Sequence, residues 1–250
     1  NITNSDITFF IKTLSEDNVF CSEADLKKYS HDETEDLSYL PEIVLKPCST
    51  KEISECLEYC NKQNIPVTAC GARTGLSGGS IPLHGGVALS VENLNKIISI
   101  DKENLQATVE SGVINQNFKS EVEKSGLFYP PDPASLGSCM LGGNVAENSG
   151  GPKALKYGVT RDYVLNLEVV LADGSIIWTG ANVLKNATGY SFTDLIVGSE
   201  GTLAVITKIV FKLIALPPKS ATMLIPFKSA EDACKSVSVI FNSGIVPCAL

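Results

Sequence analysis

The fold is inferred here from the glycine-rich stretch Gly71-Ala72-Arg73-Thr74-Gly75-Leu76-Ser77-Gly78-Gly79-Ser80 and from the segments on either side of it. It follows residues 66–69, a short run that is typical of a β-strand, with only Cys70 between them. Glycine lets the backbone adopt positive φ angles and approach a ligand without a Cβ, so that consecutive N–H groups point inward and bind an anion. A loop of this kind at a strand end indicates a pyrophosphate site, to which the hydroxyls of Thr74, Ser77 and Ser80 add donors. Arg73 either adds positive charge to this site or points outward into solvent.

A second group of glycines lies further along the chain. Of the 20 glycines, six fall between residues 71 and 86 and six between residues 137 and 158, which is more clustering than ordinary turns require. Both clusters are typical of ligand-binding loops. A glycine-rich surface loop without a ligand is the alternative that spacing alone leaves open.

Two common nucleotide-binding signatures are absent from the first loop. A P-loop ends in Gly-Lys-Ser or Gly-Lys-Thr, whereas this loop ends in Gly78-Gly79-Ser80. The Gly-x-Gly-x-x-Gly pattern of NAD-binding folds is also missing, because the glycines stand at positions 71, 75, 78 and 79. The sequence therefore disfavours NAD as the cofactor.

Periodicity on either side of the loop predicts a mixed architecture. Upstream, residues 43–46 predict a strand, and Ser49 with Glu52 forms a capping box for a helix that ends at Asn64. Downstream, we predict strands over 86–90, 97–100, 105–110, 167–172, 175–179 and 203–213, and a helix over 114–122. Asp173-Gly174 predicts the tight turn of a hairpin. Strands that sometimes alternate with helices and sometimes pair as hairpins indicate an α+β fold of two α+β subdomains rather than a doubly wound parallel sheet.

The end of the sequence predicts the opening of another unit. After Pro217-Pro218 the pattern predicts a strand over 223–226, a helix over 231–241 and a strand over 244–249. A fragment of about 30 residues cannot bury an apolar face by itself. We therefore expect residues 1–40 to form an N-terminal helical segment and residues 41–217 to form the ligand-binding domain, with subdomains of about 41–100 and 101–217. Residues 218–250 would start a second, truncated domain.

Composition limits the class of function. The 28 acidic and 20 basic side chains give a net charge of −8, which repels nucleic acid and anionic lipid. No apolar run reaches the roughly 18 to 20 residues of a transmembrane helix, and residues 1–6 do not form a signal peptide. We expect a cytoplasmic protein, with peripheral membrane association left open, that binds a small molecule. The eight cysteines are spread without a CxxC pair, so no metal site is predicted.

Several motifs, in a fixed order, resemble those of a known family. They are His31-Asp32-Glu33-Thr34, Thr74-Gly75-Leu76-Ser77-Gly78-Gly79, Pro131-Asp132-Pro133, Leu141-Gly142-Gly143-Asn144-Val145-Ala146-Glu147-Asn148, Lys156-Tyr157-Gly158 and Gly198-Ser199-Glu200-Gly201-Thr202-Leu203. Over nearly its whole length the chain resembles the FAD-linked oxidases with a p-cresol methylhydroxylase-type flavin domain, which is also called the vanillyl-alcohol oxidase type. Within that family it resembles the D-type subunit of glycolate oxidase and the D-lactate dehydrogenases.

The resemblance implies that residues 41–217 bind FAD between the two subdomains, with the first loop at the pyrophosphate. The implied cofactor-binding residues are Gly71, Ala72, Arg73, Thr74, Gly75, Leu76, Ser77, Gly78, Pro131, Asp132, Ser138, Cys139, Gly142, Gly143, Asn144, Glu200, Gly201, Val205 and Ile206. Two residues depart from the family pattern. Arg73 stands where many relatives carry Gly or Asn, and Ala204 stands where Gly is usual.

The attachment of the flavin depends on histidine, because some members of the family bond FAD covalently through a histidine of the first loop. This loop contains none. We predict that His84 is a turn residue and that His31 belongs to a solvated acidic run. Non-covalent FAD is therefore expected.

The implied activity is that of an FAD-dependent 2-hydroxy-acid dehydrogenase or oxidase. A small D-2-hydroxy acid, glycolate or D-lactate, would be oxidised to the 2-oxo acid by hydride transfer to flavin N5, with this chain supplying the FAD-binding part. In the family, the catalytic base, the metal ligands where a metal is used, and the substrate arginine belong to the later substrate domain, so no catalytic residue is assigned. An iron–sulfur electron-transfer subunit is an implied partner.

Two other functions stay open. One is a flavin-dependent transferase of the alkyl-dihydroxyacetonephosphate synthase type, although the residues at 131–133 and 142–144 favour the hydroxy-acid branch. The other is a non-catalytic FAD-binding or interaction subunit. Absence of bound flavin would favour a vestigial site.

Overall fold

A computed structural model describes residues 1–250 of the chain. Its helices are α1 (Asn4–Leu14), α2 (Glu23–Lys28), α3 (Thr50–Gln63), α4 (Asn115–Lys124), α5 (Leu141–Glu147), α6 (Ala154–Tyr157), α7 (Phe192–Ile196) and α8 (Ala230–Asn242). Its strands are β1 (Val19–Phe20), β2 (Ile43–Leu45), β3 (Val67–Cys70), β4 (Val87–Ser90), β5 (Ile97–Asp101), β6 (Gln106–Glu110), β7 (Leu127–Phe128), β8 (Val164–Val170), β9 (Ile176–Trp178), β10 (Val205–Lys212) and β11 (Ile214–Ala215).

The first sheet has the strand order β1-β2-β4-β3, with β2 and β3 parallel to β4 and β1 antiparallel to β2. Parallel strands need a crossover connection, and α3 makes the connection between β2 and β3. The Ser49 side chain caps α3 by accepting from the Glu52 backbone N–H at 3.2 Å, and the left-handed Asn64 follows its last turn. The buried face of α3 contributes about 1.5–3 kcal/mol for each large apolar side chain removed from water. That face consists of Ile53, Cys56, Leu57 and Cys60.

The second sheet has the order β5-β6-β10-β8-β9, and all of its strand pairs are antiparallel. Its core of 19 buried residues includes side chains of α4 and α5. Phe118 of α4 contacts Tyr129 and Phe211, with ring centroids 5.1 and 5.5 Å away. The α+β class expected from the sequence is confirmed.

The two sheets are joined where α3 contacts the β8–β9 hairpin. Thr50 Oγ1 donates to Glu168 Oε1 at 2.6 Å, and Ser54 Oγ donates to the carbonyl oxygen of Gly174 at 2.5 Å. Gly174 occupies the hairpin turn with a φ of 86°. Two valines of the second sheet also belong to the first core, namely Val170 and Val205. These contacts fix the two subdomains against each other and leave a cleft beside them.

Two strands predicted near the end of the chain are wrong. Residues 223–226 and 244–249 are irregular, and no residue from 216 to 250 is buried. A strand needs a neighbour for its backbone N–H and C=O groups, and none lies beside these segments. The helix predicted between them is present as α8, whereas α5 was not predicted.

Candidate functional site

A cleft runs between the two subdomains, where β3 at the edge of the first sheet faces α5 and the start of β10. It consists of two adjoining cavities, of about 570 and 480 Å³. Four residues line both cavities: Gly71, Ser80, Gly143 and Glu147. The walls come from distant parts of the sequence, so this cleft exists only in the folded chain.

The first wall is the end of β3 and the loop over residues 71–80. None of the ten backbone N–H groups of this loop donates a hydrogen bond to a protein atom. Arg73 and Gly78 have φ angles of 56° and 75°, so the loop curls through the left-handed region that glycine adopts at little cost. A Cβ on Gly71 would lie 3.9 Å from Gly143 Cα across the cleft. The loop therefore offers a row of free backbone donors, as a site for an anion requires.

Arg73 is held against an aromatic ring. Its guanidinium carbon lies 4.1 Å from the centroid of the Tyr29 ring, which is a cation–π contact. The Tyr29 hydroxyl donates to Glu92 Oε2 at 2.8 Å, so the ring itself is fixed. Arg73 also lines the smaller cavity. Its positive charge therefore lies at one end of the cleft in a fixed position.

The second wall is α5 with the residues that precede it. Asn144 is 3% exposed, and its side-chain Nδ2 has no hydrogen-bond partner in the protein. An unpaired buried amide is costly, so a group that accepts from Asn144 would stabilise the site. The Gly142 N–H donates to Ser111 O at 2.7 Å, and a Cβ on Gly142 would lie 2.7 Å from Ser111 Cβ. Gly142 is needed for packing, whereas Gly143 faces open space, with no atom within 4 Å of the position that a Cβ would take.

The third wall is the segment from Glu200 to Ile206. Glu200 and Gly201 have φ angles of 53° and 73°, which turn the chain into β10. Ala204, Val205 and Ile206 are each 7% exposed and form an apolar floor of the larger cavity. The side chain of Ala204 therefore adds to the floor.

Two carboxylates face the same cavity. Ser77 Oγ lies 3.4 Å from both carboxylate oxygens of Glu147, and a Cβ on Gly79 would lie 3.3 Å from Glu147 Oε1 and 3.9 Å from Glu200 Oε2. Burial, followed by the nearby Glu200 charge, raises the pKa of Glu147. The cleft thus combines free N–H donors with an acidic rim.

The structure brings most of the cofactor residues expected from the sequence to the cleft. Those that line it are Gly71, Ala72, Arg73, Thr74, Gly75, Cys139, Gly142, Gly143, Asn144, Glu200, Gly201, Val205 and Ile206. Those outside the lining are Leu76, Ser77, Gly78, Pro131, Asp132 and Ser138. Among the latter, Asp132 forms an ion pair with Lys153 at 3.2 Å and Leu76 is 77% exposed. The roles of these residues toward a cofactor stay predictions.

Several lining residues were not found by sequence reasoning. They are Ala69, Cys70, Gly79, Val91, Ser135, Met140, Ala146, Glu147 and Ser149. Glu147 had a usable signal, because it stands inside a motif that was already identified. Val91 and Ser135 gave none, since only the packing of the two subdomains brings them to the cleft.

Neither histidine lies in the cleft lining. His31 is exposed, and His84 lines a separate polar cavity beside the N-terminus of α1. No group of three or more His, Cys, Asp and Glu side chains is arranged to hold a metal ion. None of the helices is both long enough and apolar enough to cross a membrane.

Comparison with known proteins shows which family the chain belongs to. Residues 41–180, more than half of the chain, match the family described as FAD binding domain. The chain belongs to this family. FAD is therefore its cofactor, and the resemblance seen in the sequence motifs is confirmed.

Curated relatives carry names of hydroxy-acid enzymes. The chain is 46% identical over 222 residues to glycolate oxidase subunit GlcD of Bacillus subtilis (strain 168), covering 89% of this chain and 47% of that protein. It is 44% identical over 210 residues to a D-lactate dehydrogenase of Anaerostipes hadrus, covering 84% of this chain and 44% of that protein. The chain spans about half the length of these two relatives.

A solved structure of p-cresol methylhydroxylase with substrate bound shares the fold. It matches with a TM-score of 0.81 and 22% sequence identity, over 95% of this chain and 48% of that protein. The expected p-cresol methylhydroxylase-type architecture is confirmed.

The described residues fit FAD. The row of free N–H groups in residues 71–80 suits a pyrophosphate, and the unpaired Asn144 amide lacks the acceptor that a bound cofactor would bring. The facing glycines, Gly71 and Gly143, leave room where side chains would close the cleft. Apolar Ala204, Val205 and Ile206 offer contact area to an uncharged part of the cofactor.

Proposed function

We propose that this chain is the FAD-binding part of an oxidoreductase that oxidises a small D-2-hydroxy acid, glycolate or D-lactate, to the 2-oxo acid. The observation that carries the proposal is the glycine-lined cleft with its ten free backbone N–H groups, in a chain whose relatives are named for these substrates. FAD supplies the hydride acceptor of the reaction, at flavin N5. The chain's own residues bind the cofactor and exclude water from its buried edge.

The roles of the cleft residues follow from their positions. Backbone N–H groups of residues 71–80 would bind the pyrophosphate, with Arg73 adding charge at one end. Asn144 would donate its free Nδ2 hydrogen to the cofactor. Val205 and Ile206 would pack against the uncharged rim of the cofactor. We propose that the attachment is non-covalent, since the lining supplies no histidine.

Residues 41–217 would form the complete FAD-binding domain, with subdomains of about 41–100 and 101–217 behind the N-terminal segment 1–40. Residues 218–250 would open a substrate domain, because Met223 and Leu224 are 81% and 96% exposed and α8 buries no side chain. Apolar side chains exposed this close together are typical of a surface that another part of a protein covers. The base and the substrate cation would come from that further domain, as the family resemblance implies.

Two further proposals concern the setting of the reaction. An iron–sulfur subunit would receive the electrons, in line with the word subunit in the name of the Bacillus subtilis relative. The cytoplasm would be the location. The transferase alternative has less support, since the matching solved structure of alkyldihydroxyacetonephosphate synthase, with a TM-score of 0.86, is only 19% identical and shows only the fold. Relatives at 44–46% identity carry hydroxy-acid names.

The first test is the visible absorption spectrum of the purified protein before and after addition of FAD and desalting. We expect flavin bands that survive desalting and are released by denaturation, and a stabilisation of about 2.7 kcal/mol at a hundredfold excess of FAD over its Kd. Flavin that stays with the denatured chain would contradict non-covalent binding. If the protein retains no flavin and FAD does not raise its melting temperature, the cofactor role is contradicted and a vestigial site is favoured.

The second test mixes the flavin-loaded protein with glycolate or D-lactate, with L-lactate as the control. Reduction of the flavin is monitored as bleaching of its visible absorption bands. If the substrate groups lie in a further domain, the 250-residue chain should bind FAD yet reduce it poorly or not at all. A longer protein, in which this chain is extended to the full length of its relatives, should show bleaching. Turnover at an ordinary enzyme rate by residues 1–250 alone would contradict this division of labour.

A further inference from the structure

The acidic rim of the cleft lies directly over the loop that would hold the cofactor's phosphates. A Cβ on Gly75 would lie 3.9 Å from Glu147 Oε1, and one on Gly79 would lie 3.3 Å from the same atom. The carboxylate of Glu147 is therefore bracketed by two glycines of the loop. Ser77 Oγ is a neutral donor beside it, at 3.4 Å from both oxygens.

The charges that face Glu147 are acidic. Glu200 acts on it from the segment before β10, and Asp32 acts on it from the segment after α2. The nearest basic group of the loop, Arg73, has its guanidinium stacked on Tyr29. Asp32 is 6% exposed, and its Oδ1 accepts from the Thr34 N–H at 2.9 Å, so the carboxyl group is held in place. No cation is positioned to neutralise Glu147.

An anionic pyrophosphate bound beside an ionised Glu147 would cost free energy, because the two negative charges repel each other. Charges a few ångströms apart interact strongly once water is displaced from a cleft. Glu147 is exposed at the rim of the cleft, and partial desolvation and the Glu200 charge raise its pKa in the free protein. A bound phosphate would raise it further. A protonated Glu147 changes from an acceptor into a donor that can bond a phosphate oxygen.

We propose that Glu147 is a further cofactor-site residue, and that it takes up a proton when FAD binds beside residues 71–80. The proposal rests on the proposed FAD site and adds a coupling that the site alone does not require. FAD binding is then tighter at low pH, and the protein releases FAD more readily as pH rises. The proton comes from solvent and resides on a carboxylate oxygen of Glu147.

Isothermal titration calorimetry of the flavin-free protein with FAD tests this coupling directly. Titrations at one pH in two buffers of different ionisation enthalpy give the number of protons bound per FAD, which we expect to approach one. Titrations over about pH 5 to 8 should show the Kd rising by up to about tenfold per pH unit above the pKa of the free carboxyl. Neither readout depends on catalytic activity.

Three variants sharpen the test. Glu147→Gln should abolish the proton uptake, flatten the pH dependence and bind FAD more tightly than wild type at the high-pH end. Glu200→Gln should move the pH-dependent window to lower pH, because it removes the neighbouring charge. Glu103→Gln is the control, since Glu103 is exposed in the β5–β6 turn, and it should leave the slope unchanged.

The outcomes separate this inference from the proposed function. FAD binding without proton uptake, or a Glu147→Gln variant that keeps the wild-type slope, would overturn the inference and leave the FAD site intact. Weaker binding of Glu147→Gln at every pH would also overturn it, and would indicate that the carboxylate accepts from a hydroxyl of the cofactor. Absence of FAD binding by the wild-type protein at any pH would overturn the proposed function as well.

Discussion

At the scale of single residues, the protein holds two buried asparagine amides in different states. Asn144 is buried with an unpaired Nδ2, whereas Asn166 is 5% exposed and fully bonded. Asn166 Oδ1 accepts from the Gly180 N–H at 2.7 Å, and its Nδ2 donates to Asn182 Oδ1 at 2.9 Å. The first amide is free for a ligand, while the second serves the fold.

The two amides should respond differently to truncation. Asn144→Ala should leave the free energy of unfolding of the flavin-free protein nearly unchanged and weaken FAD binding by about tenfold, the value of one hydrogen bond. Asn166→Ala should destabilise the protein by about 1–3 kcal/mol, because it leaves buried donors unpaired, without changing the Kd for FAD. Urea unfolding and FAD titration of both variants provide the check. A large loss of stability in Asn144→Ala would show that its amide is bonded within the protein.

Adjacent glycines of α5 offer a second contrast. Gly142→Ala should unfold the protein or cost several kcal/mol, because its Cβ would lie 2.7 Å from Ser111 Cβ in a packed interior. Gly143→Val should keep the fold, since nothing lies within 4 Å of its Cβ position, yet block FAD by filling the cleft. Thermal unfolding and flavin retention measured together would distinguish the two effects. Retention of FAD by Gly143→Val would place the cofactor elsewhere.

At the scale of secondary structure, sequence reasoning worked where a local signal exists. The ends of α3 were predicted from Ser49 and Asn64, because capping is encoded within a few residues. Helix α5 was missed, since Gly142 and Gly143 are poor helix formers and the helix depends on burying Leu141 and Val145. The strands predicted over 223–226 and 244–249 failed for the opposite reason, because their apolar pattern has no pairing partner.

The same limit applies to the site. The glycine loop was recognisable because its backbone chemistry is contained in ten consecutive residues. Glu147 and Glu200 approach that loop from two other elements, and their distances to Gly79 exist only after the subdomains pack. The sequence therefore predicted the donors of the site and, through the family resemblance, Glu200, but not Glu147 or the closeness of the two carboxylates.

Helix α4 contacts the loop before the second glycine cluster through one buried charge. Lys119 is 7% exposed, and its Nζ donates to the carbonyl oxygens of Pro130 and Pro131 at 3.3 and 3.2 Å. Burial, followed by the nearby Lys153 charge, lowers the pKa of Lys119 to about 8. The ordinary lysine pKa of about 10.4 applies to the unfolded chain.

This difference fixes the sign of a pH effect. Between about pH 8 and pH 10.4 the unfolded chain holds more protons at Lys119 than the folded protein, so the free energy of unfolding should rise with pH by up to about 3 kcal/mol. Below about pH 8 both states are protonated, and the contribution is constant. Urea unfolding of wild type and Lys119→Met across this range isolates the effect as a difference of slopes. Parallel curves would show that Lys119 keeps its ordinary pKa.

At the scale of the whole molecule, the two cores pack against each other, whereas the last segment packs against neither. The cores of 14 and 19 buried residues are tied together through Thr50, Ser54 and the β8–β9 hairpin. Residues 216–250 contribute no buried side chain to either core. An isolated helix of 13 residues such as α8 is only marginally stable in water. The stability of the FAD-binding part should therefore not depend on this segment.

Limited proteolysis should reveal that independence. Cleavage is expected within residues 217–229, which are exposed and lack regular structure, and the fragment ending there should keep both its Tm and its Kd for FAD. A chain ending at Pro217 should behave like the proteolytic fragment. Protection of residues 217–229, or a loss of more than about 1 kcal/mol on removing residues 218–250, would mean that α8 packs on the FAD-binding part. If these residues are protected from the protease only in a longer protein, extended to the full length of the relatives, their exposed apolar side chains would instead pack inside a further domain.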